Sequence, residues 1–217
     1  MSQILTLVGI STLQTLEMVL FSTLFSMVIG FPLGVLLYST NFMGITPRPI
    51  LNQVLSRIVN VLRSFPFIIL MILLFPLSRL ILGTSIGTTA TIIPLSIAAA
   101  PFVARLVETA LLEVDPGMIQ AARAMGSTNS QIIYKVLIPE SMPSLVSGIT
   151  LTIINLIGYS AMAGTIGGGG LGDLAIRYGY QRFRPDVMAA SVVVIIVMVE
   201  VIQFIGTRIA NRMLANR

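Results

Sequence analysis

The sequence predicts an all-α integral membrane protein with five transmembrane helices. Of its 217 residues, 55% are hydrophobic and only 10% are charged, whereas soluble domains average roughly 45–50% apolar and about 25% charged residues. The mean hydropathy is +0.96. The segment Met18–Tyr38 contains no charged residue, and it is long enough to cross a hydrocarbon core of about 30 Å, which takes roughly 20 apolar residues. The chain is therefore expected to be embedded in lipid.

Five apolar segments, separated by charged and turn residues, are the predicted spans. In chain order they are Leu13–Tyr38, Ile58–Leu80, Thr88–Leu111, Ser141–Gly164 and Val187–Ile205. An odd number of spans places the two termini on opposite sides of the membrane. If the C-terminus is cytoplasmic, four of the 13 basic residues lie outside, namely Arg79, Arg177, Arg182 and Arg184, and the other nine lie inside. The positive-inside rule therefore favours an external N-terminus and a cytoplasmic C-terminus, and the sequence assigns no role to the external arginines Arg177, Arg182 and Arg184.

Two spans contain residue patterns that predict helix contacts, small residues in one and opposite charges in the other. Gly30 and Gly34 in the first span form a G-x-x-x-G motif, which is typical of close helix packing, although Pro32 between them is equally compatible with a kink. Arg105 and Glu108 lie three residues apart in the third span, so they can pair on one helix face. A stabilising pair is the favoured interpretation and a role in gating the alternative.

Composition excludes several classes of function. The chain has no cysteine and no histidine, so a thiol nucleophile, a disulfide and the usual metal ligands are missing, and neither an enzyme nor a metal or cofactor site is predicted. The 13 basic residues are scattered, which argues against a nucleic-acid partner. The first ten residues lack Lys and Arg, so the first span is predicted to remain uncleaved. Residues 1–217 are predicted to form one domain.

The connection between the third and fourth spans contains strong local signals for two short helices. Asp115 can cap a helix whose first position is Pro116. Gly126 can end that helix in a left-handed conformation, and Ser127 or Thr128 can cap a second helix that runs to about Leu137, where Pro139 is expected to stop it. These signals predict a helix–turn–helix at the membrane surface, joined to the spans on both sides.

The same connection resembles the cytoplasmic loop of binding-protein-dependent ABC importer permeases. Their pattern is Glu-Ala-Ala, three residues, Gly, nine residues, Ile-x-Leu-Pro. Here Gln120-Ala121-Ala122, Gly126 and Val136-x-Ile138-Pro139 keep the spacing, with Gln, Val and Ile substituted at three positions. The resemblance implies that this loop is a cytoplasmic coupling helix seated in a separate ATPase. The coupling residues it implies are Gln120, Ala121, Ala122, Gly126 and Pro139, with no ionic role for Gln120.

Over nearly the whole chain, the resemblance narrows to the bacterial methionine-uptake permeases. It is carried by Arg63–Ile69, Ala100–Arg105, Gly158–Gly164, the glycine run Gly167–Gly172 and Tyr178–Tyr180. It implies a homodimer of permeases in the inner membrane, two cytoplasmic ATPases that bind ATP and Mg, and an external substrate-binding protein. The implied substrate is methionine, and another amino acid or an osmolyte remains the alternative.

Two nucleotide motifs are rejected. Gly167, Gly169 and Gly172 satisfy G-x-G-x-x-G, but that fingerprint requires a preceding strand, and these glycines follow a span. They are predicted to form a turn where helices pack closely. A Walker A loop requires Gly-Lys-Ser/Thr, and the one lysine, Lys135, lies between Tyr134 and Val136. ATP hydrolysis is therefore expected from another polypeptide.

The fourth span supplies the candidate translocation pathway: Asn155, Tyr159, Ser160 and Met162. Asn155, Tyr159 and Met162 share one helix face, and polar groups at membrane depth usually face a bundle or a cavity. Helix packing is the alternative for these residues. Two other functions stay open: an ion-coupled secondary transporter, for which Glu200 is the acid to consider, and an assembly scaffold, which the coupling-loop pattern disfavours.

Overall fold

A computed structural model describes residues 2–215; the predicted domain also includes Met1, Asn216 and Arg217, which lie outside the described residues. The described part is helical and contains no strand. The helices are α1 Ser2–Thr40, α2 Pro49–Ser64, α3 Phe67–Leu82, α4 Thr88–Leu112, α5 Pro116–Ala124, α6 Asn129–Ile132, α7 Ile138–Gly164, α8 Gly170–Leu174 and α9 Pro185–Ala215. π-helical segments at Ile133–Leu137 and Ala175–Tyr180 follow α6 and α8.

Four continuous helical stretches are long and apolar enough to cross a membrane, namely 4–40, 88–112, 129–164 and 185–215. The pair α2 and α3 adds a fifth crossing if its two halves count as one span. The all-α prediction is thus confirmed, with helices that extend past several predicted ends. α9, for example, continues ten residues beyond Ile205, because its backbone hydrogen bonds do not require an apolar surrounding.

The second predicted span, Ile58–Leu80, is wrong as a single helix. The chain bends by 103° between α2 and α3, and Phe65 at the bend has extended backbone angles of φ −69° and ψ 131°. Pro66 explains the break, since a proline disfavours the helical conformation in the residue before it and has no N–H to donate. The segment as a whole is apolar enough to count as one span, so a hydropathy count alone misses this elbow.

The contact between α1 and α4 forms the centre of the bundle. A Cβ atom built on Gly30 would lie 2.6 Å from the carbonyl oxygen of Ala100, and one on Gly34 would lie 2.6 Å from that of Ala104. Both glycines therefore allow the two backbones to approach closely. The predicted G-x-x-x-G contact is confirmed, and its partner is α4 of the same chain.

The glycine run after α7 forms a tight turn that packs back on the bundle. Gly167 and Gly169 have positive φ angles of 89° and 80°, which glycine adopts without a Cβ clash. Thr15 Oγ1 in α1 accepts a hydrogen bond from the N–H of Leu171 at 2.9 Å, and a side chain on Gly172 would collide with Ala161. The predicted turn between closely packed helices is confirmed.

Candidate functional site

The short helix α5 begins and ends as the local signals predict. Asp115 Oδ1 accepts a hydrogen bond of 2.7 Å from the N–H of Gly117, and Pro116 occupies the first helical position. Gly126 has a φ of +79°, and the N–H of Ser127 donates to the carbonyl of Ala122 at 3.0 Å across the end of the helix. A left-handed glycine thus satisfies the last carbonyl groups of α5.

The second helix begins at the predicted cap but does not end at Pro139. Thr128 and Gln131 form a reciprocal capping box, with hydrogen bonds of 2.8 and 3.3 Å. Beyond it the helix continues through the π-helical segment into α7, and the N–H of Ile138 donates to the carbonyl of Ile133, five residues earlier. The wider π turn accommodates the proline, which has no N–H and would crowd a regular helix. The expected stop at Pro139 is therefore wrong, and α6, the π-helical segment and α7 form one continuous helix.

One face of the predicted coupling loop, the connection of α5 and α6 between α4 and α7, is anchored in the body of the protein. Ala122 is 3% exposed and Ile132 and Leu137 are fully buried, and all three belong to one apolar cluster with Val107 of α4 and Tyr38 of α1. From α5, Arg123 Nη2 also donates to the carbonyl of Ile45 at 3.0 Å, in the connection between α1 and α2. Ala122 and Arg123 therefore connect α5 to residues of α1, of α4 and of the connection after α1.

The opposite face of the loop is exposed. Gln120, Ala121 and Gly126 lie on it, and Pro139 is exposed at the start of α7. Large apolar side chains accompany them: Met118 is 39%, Met125 79% and Tyr134 71% exposed. Sequence reasoning missed these three residues, although large apolar side chains in a polar connection are an available signal for a contact surface.

The candidate pathway residues of α7 separate into two groups. Asn155 is exposed, Met162 is 46% exposed and Tyr159 is half-buried on the same side. Ser160 is 1% exposed, and its hydroxyl donates to the carbonyl of Ile157 at 2.7 Å. The structure therefore places Asn155, Tyr159 and Met162 on an open face of the bundle and turns Ser160 into the core.

A partly open cavity of about 230 Å³ adjoins that face beside the elbow. The rings of Tyr159 and Phe67 stack at its wall, with centroids 4.4 Å apart and planes 6° from parallel. The guanidinium carbon of Arg63 lies 5.9 Å from the centroid of the Phe102 ring. The lining residues are Leu62, Arg63, Phe65, Phe67, Leu70, Ala98, Phe102 and Tyr159. Sequence reasoning did not find this cavity, because α2, α3, α4 and α7 all contribute to it.

The predicted pair of Arg105 and Glu108 is confirmed. Nη1 of Arg105 lies 2.6 Å from Oε2 of Glu108. Its Nη2 donates to the carbonyl of Ser56 at 3.2 Å and to Oδ1 of Asn60 at 3.0 Å. Since both acceptors belong to α2, Arg105 holds α2 against α4. This contact agrees with the stabilising role predicted for the pair.

Three of the four arginines that the predicted topology places outside, Arg177, Arg182 and Arg184, each have a nearby partner. Arg177 lies 3.0 Å from Asp173, and Arg182 lies over the ring of Tyr178 at 4.4 Å. Arg184 pairs with Asp186 at 2.7 Å, and this hydrogen bond raises the pKa of Arg184 above its ordinary value. Within residues 2–215, no three His, Cys, Asp or Glu side chains converge in a way that could hold a metal ion.

Comparison with known proteins gives concordant findings. Residues 30–215 match the family described as "Binding-protein-dependent transport system inner membrane component". The chain is 50% identical over 202 residues to the probable D-methionine transport system permease protein MetI of Vibrio cholerae, covering 93% of this chain and 90% of that protein. It is 53% identical over 151 residues to the D-methionine transport system permease protein MetI of Escherichia coli K12, with 70% of each chain covered.

A solved structure has nearly the same fold. It is described as an inward-facing conformation of the MetNI methionine ABC transporter, and its chain aligns with a TM-score of 0.96 and 46% sequence identity over 98% of this chain and 99% of that one. A chain of an amino acid ABC transporter crystallised with histidines aligns with a TM-score of 0.78 at 20% identity. At this identity the alignment shows that the two chains share a fold and nothing more.

Proposed function

The chain belongs to the family of binding-protein-dependent transport system inner membrane components, and from this premise we propose that it is the permease subunit of an ATP-driven importer for methionine. The observation that supports this most directly is α5, which is exposed on one face and anchored to α1, α4 and α7 on the other. Such an element can receive motion from a partner and pass it to the spans. The names of the relatives, which are methionine transport permeases, support methionine as the substrate.

The functional assembly is two copies of this chain, two cytoplasmic ATPases that bind ATP and Mg, and an external substrate-binding protein. Its N-terminus lies outside and its C-terminus in the cytoplasm, as the positive-inside rule favours. The ATPase contacts the exposed face of α5, through Gln120, Ala121 and Gly126 together with Met118 and Met125. Pro139 lies in the continuous helix that follows, from α6 into α7. Solute passes along the face of α7 that carries Asn155, Tyr159 and Met162.

We expect the purified chain alone to neither bind nor hydrolyse ATP, because its sequence has no phosphate-binding loop. Purified from native membranes with its ATPase, the complex should hydrolyse ATP, take up methionine in proteoliposomes and contain two copies of this chain by native mass spectrometry. ATP turnover by the isolated chain would contradict the division of labour. A transport-competent complex with one copy would contradict the dimer, and a complex that takes up other solutes but not methionine would contradict the substrate.

Substitutions on the open face of α7 should change transport more than assembly. Tyr159→Ala removes the ring that stacks on Phe67, and Met162→Ala removes a half-exposed side chain, and neither residue lies near α5 in sequence. We expect a several-fold change in methionine uptake with normal ATPase copurification. Leu5→Ala on the external half of α1, where Leu5 is 71% exposed, is the control. Parental uptake rates and unchanged substrate preference in both α7 variants would show that this face serves only helix packing.

A further inference from the structure

Arg63 occupies an unusual position for an arginine. Its guanidinium lies near the ring of Phe102, which is ten residues from the end of α4 at Leu112, or roughly 15 Å along the helix at 1.5 Å per residue. Arg63 therefore lies beside the spanning helix α4 and within the second predicted span. A charged side chain within a spanning segment is costly and usually marks a functional pathway.

No carboxylate of the described chain neutralises this charge. The ion pairs formed by residues 4–215 involve Arg105, Arg177 and Arg184 and do not include Arg63. The side chain is exposed at the mouth of the cavity beside the elbow. The hydrogen bonds from Arg105 of α4 to Ser56 and Asn60 hold the helix that carries Arg63 against α4.

The walls of the cavity are aromatic and apolar. Phe65, Phe67, Phe102 and Tyr159 surround a volume of about 230 Å³, which is smaller than the roughly 300–1,000 Å³ of pockets for drug-sized ligands. One guanidinium beside apolar rings suits a small solute with a carboxylate at one end and an apolar group at the other. Guanidinium groups bind carboxylates through strong, charge-assisted hydrogen bonds.

We propose that Arg63 and this aromatic cavity form a binding site inside the membrane for the carboxylate of a small apolar amino acid on its way through the permease. The proposal rests on the proposed transport function and adds a recognition group to it. A phospholipid phosphate is the other anion available in a membrane, but a cavity of about 230 Å³ suits a small solute rather than a lipid with two acyl chains. Arg63 thus discriminates solutes that carry a carboxylate from those that do not.

Tryptophan fluorescence tests this directly, because the chain contains no tryptophan. Phe65→Trp, at a position that is 41% exposed, places a reporter in the cavity, and Phe42→Trp, at a position that is 86% exposed in the connection after α1, is the remote control. The full-length chain is reconstituted in zwitterionic nanodiscs and titrated with methionine and with methioninamide, which lacks the carboxylate.

We expect a saturable response to methionine in the Phe65→Trp variant only, and about tenfold or more weaker binding of methioninamide. Adding Arg63→Gln to that variant should weaken methionine binding by a similar factor, whereas Arg57→Gln, an exposed arginine of the same helix, should leave it within about twofold. Equal affinity for acid and amide, an inert Arg63→Gln change, or no response of the Phe65→Trp variant to methionine or to any other apolar amino acid would each overturn the proposal.

Two further titrations distinguish the solute site from a lipid site and from a site for a different solute. A response of the Phe65→Trp variant to anionic lipid in place of solute would assign Arg63 to a lipid phosphate and overturn the carboxylate site. Binding of other apolar amino acids through Arg63, with no binding of methionine, would support the site and contradict methionine as the substrate. Methionine uptake by the complete transporter with an unresponsive cavity would support the proposed function and overturn the site.

Discussion

Gly126→Val should abolish transport and weaken association with the ATPase while the chain still reaches the membrane in near-normal amount. Gly126 has a φ of +79°, and no atom lies within 4 Å of a Cβ built there. The valine therefore fits the available space and is opposed only by its backbone preference, at a cost of roughly 1–3 kcal/mol. That strain would tilt α5 or loosen the bonds that end it, because the glycine terminates the helix through its left-handed conformation.

Uptake, copurified ATPase and membrane abundance must be measured together, since lost uptake by itself could reflect misfolding. Gly126→Asn is the matched control: asparagine also adds a side chain, but it tolerates the left-handed region better than valine. We expect Gly126→Asn to retain most of the transport. Normal uptake with normally bound ATPase in Gly126→Val would show that the end of α5 is not part of the coupling element.

Gly34→Val should strongly destabilise the bundle. A Cβ on Gly34 would lie 2.6 Å from the backbone oxygen of Ala104 and 2.6 Å from Cβ of Val107. Backbone atoms of α4 can move aside only if the α1–α4 contact opens, and this contact holds the centre of the protein. Overpacking of this kind costs about 1–3 kcal/mol or more, so we expect a several-fold loss of membrane abundance and a lower midpoint of thermal unfolding in detergent.

Gly9→Val provides the control for this effect. It makes the same substitution in the same helix, with the same change in helix propensity, but nothing lies within 4 Å of a Cβ at Gly9. Gly9→Val should therefore accumulate at nearly parental levels. Equal abundance and thermal stability of the two variants would be incompatible with the close approach of α1 and α4.

The local features of the predicted coupling loop could be predicted because their causes lie within a few residues. The cap at Asp115, the left-handed Gly126 and the capping box at Thr128 each depend on hydrogen bonds that span five residues or fewer. The exception was Pro139, where a π turn begun at Ile133 accommodates the proline. An alternative hydrogen-bond register of this kind leaves no signature in the residue types.

Long-range partners followed a different pattern. The sequence identified Gly30 and Gly34 as a close-packing motif but could not name α4 as the partner, and it placed Ser160 with the pathway although the fold buries it. Periodicity defines which residues share a face of one helix. Which face points inward depends on how the neighbouring helices pack against it.

By itself, the sequence determined that this protein is a helical membrane protein with capped short helices between its third and fourth spans, since apolar run length and short-range capping encode both. Only the tertiary structure decided that the second span is an elbow, that α5 is anchored through Arg123 to the connection after α1, and that Arg63 faces an aromatic cavity. The physical reason is that each of these depends on helices distant in sequence being packed together, and a side chain's surroundings are set by its neighbours in space.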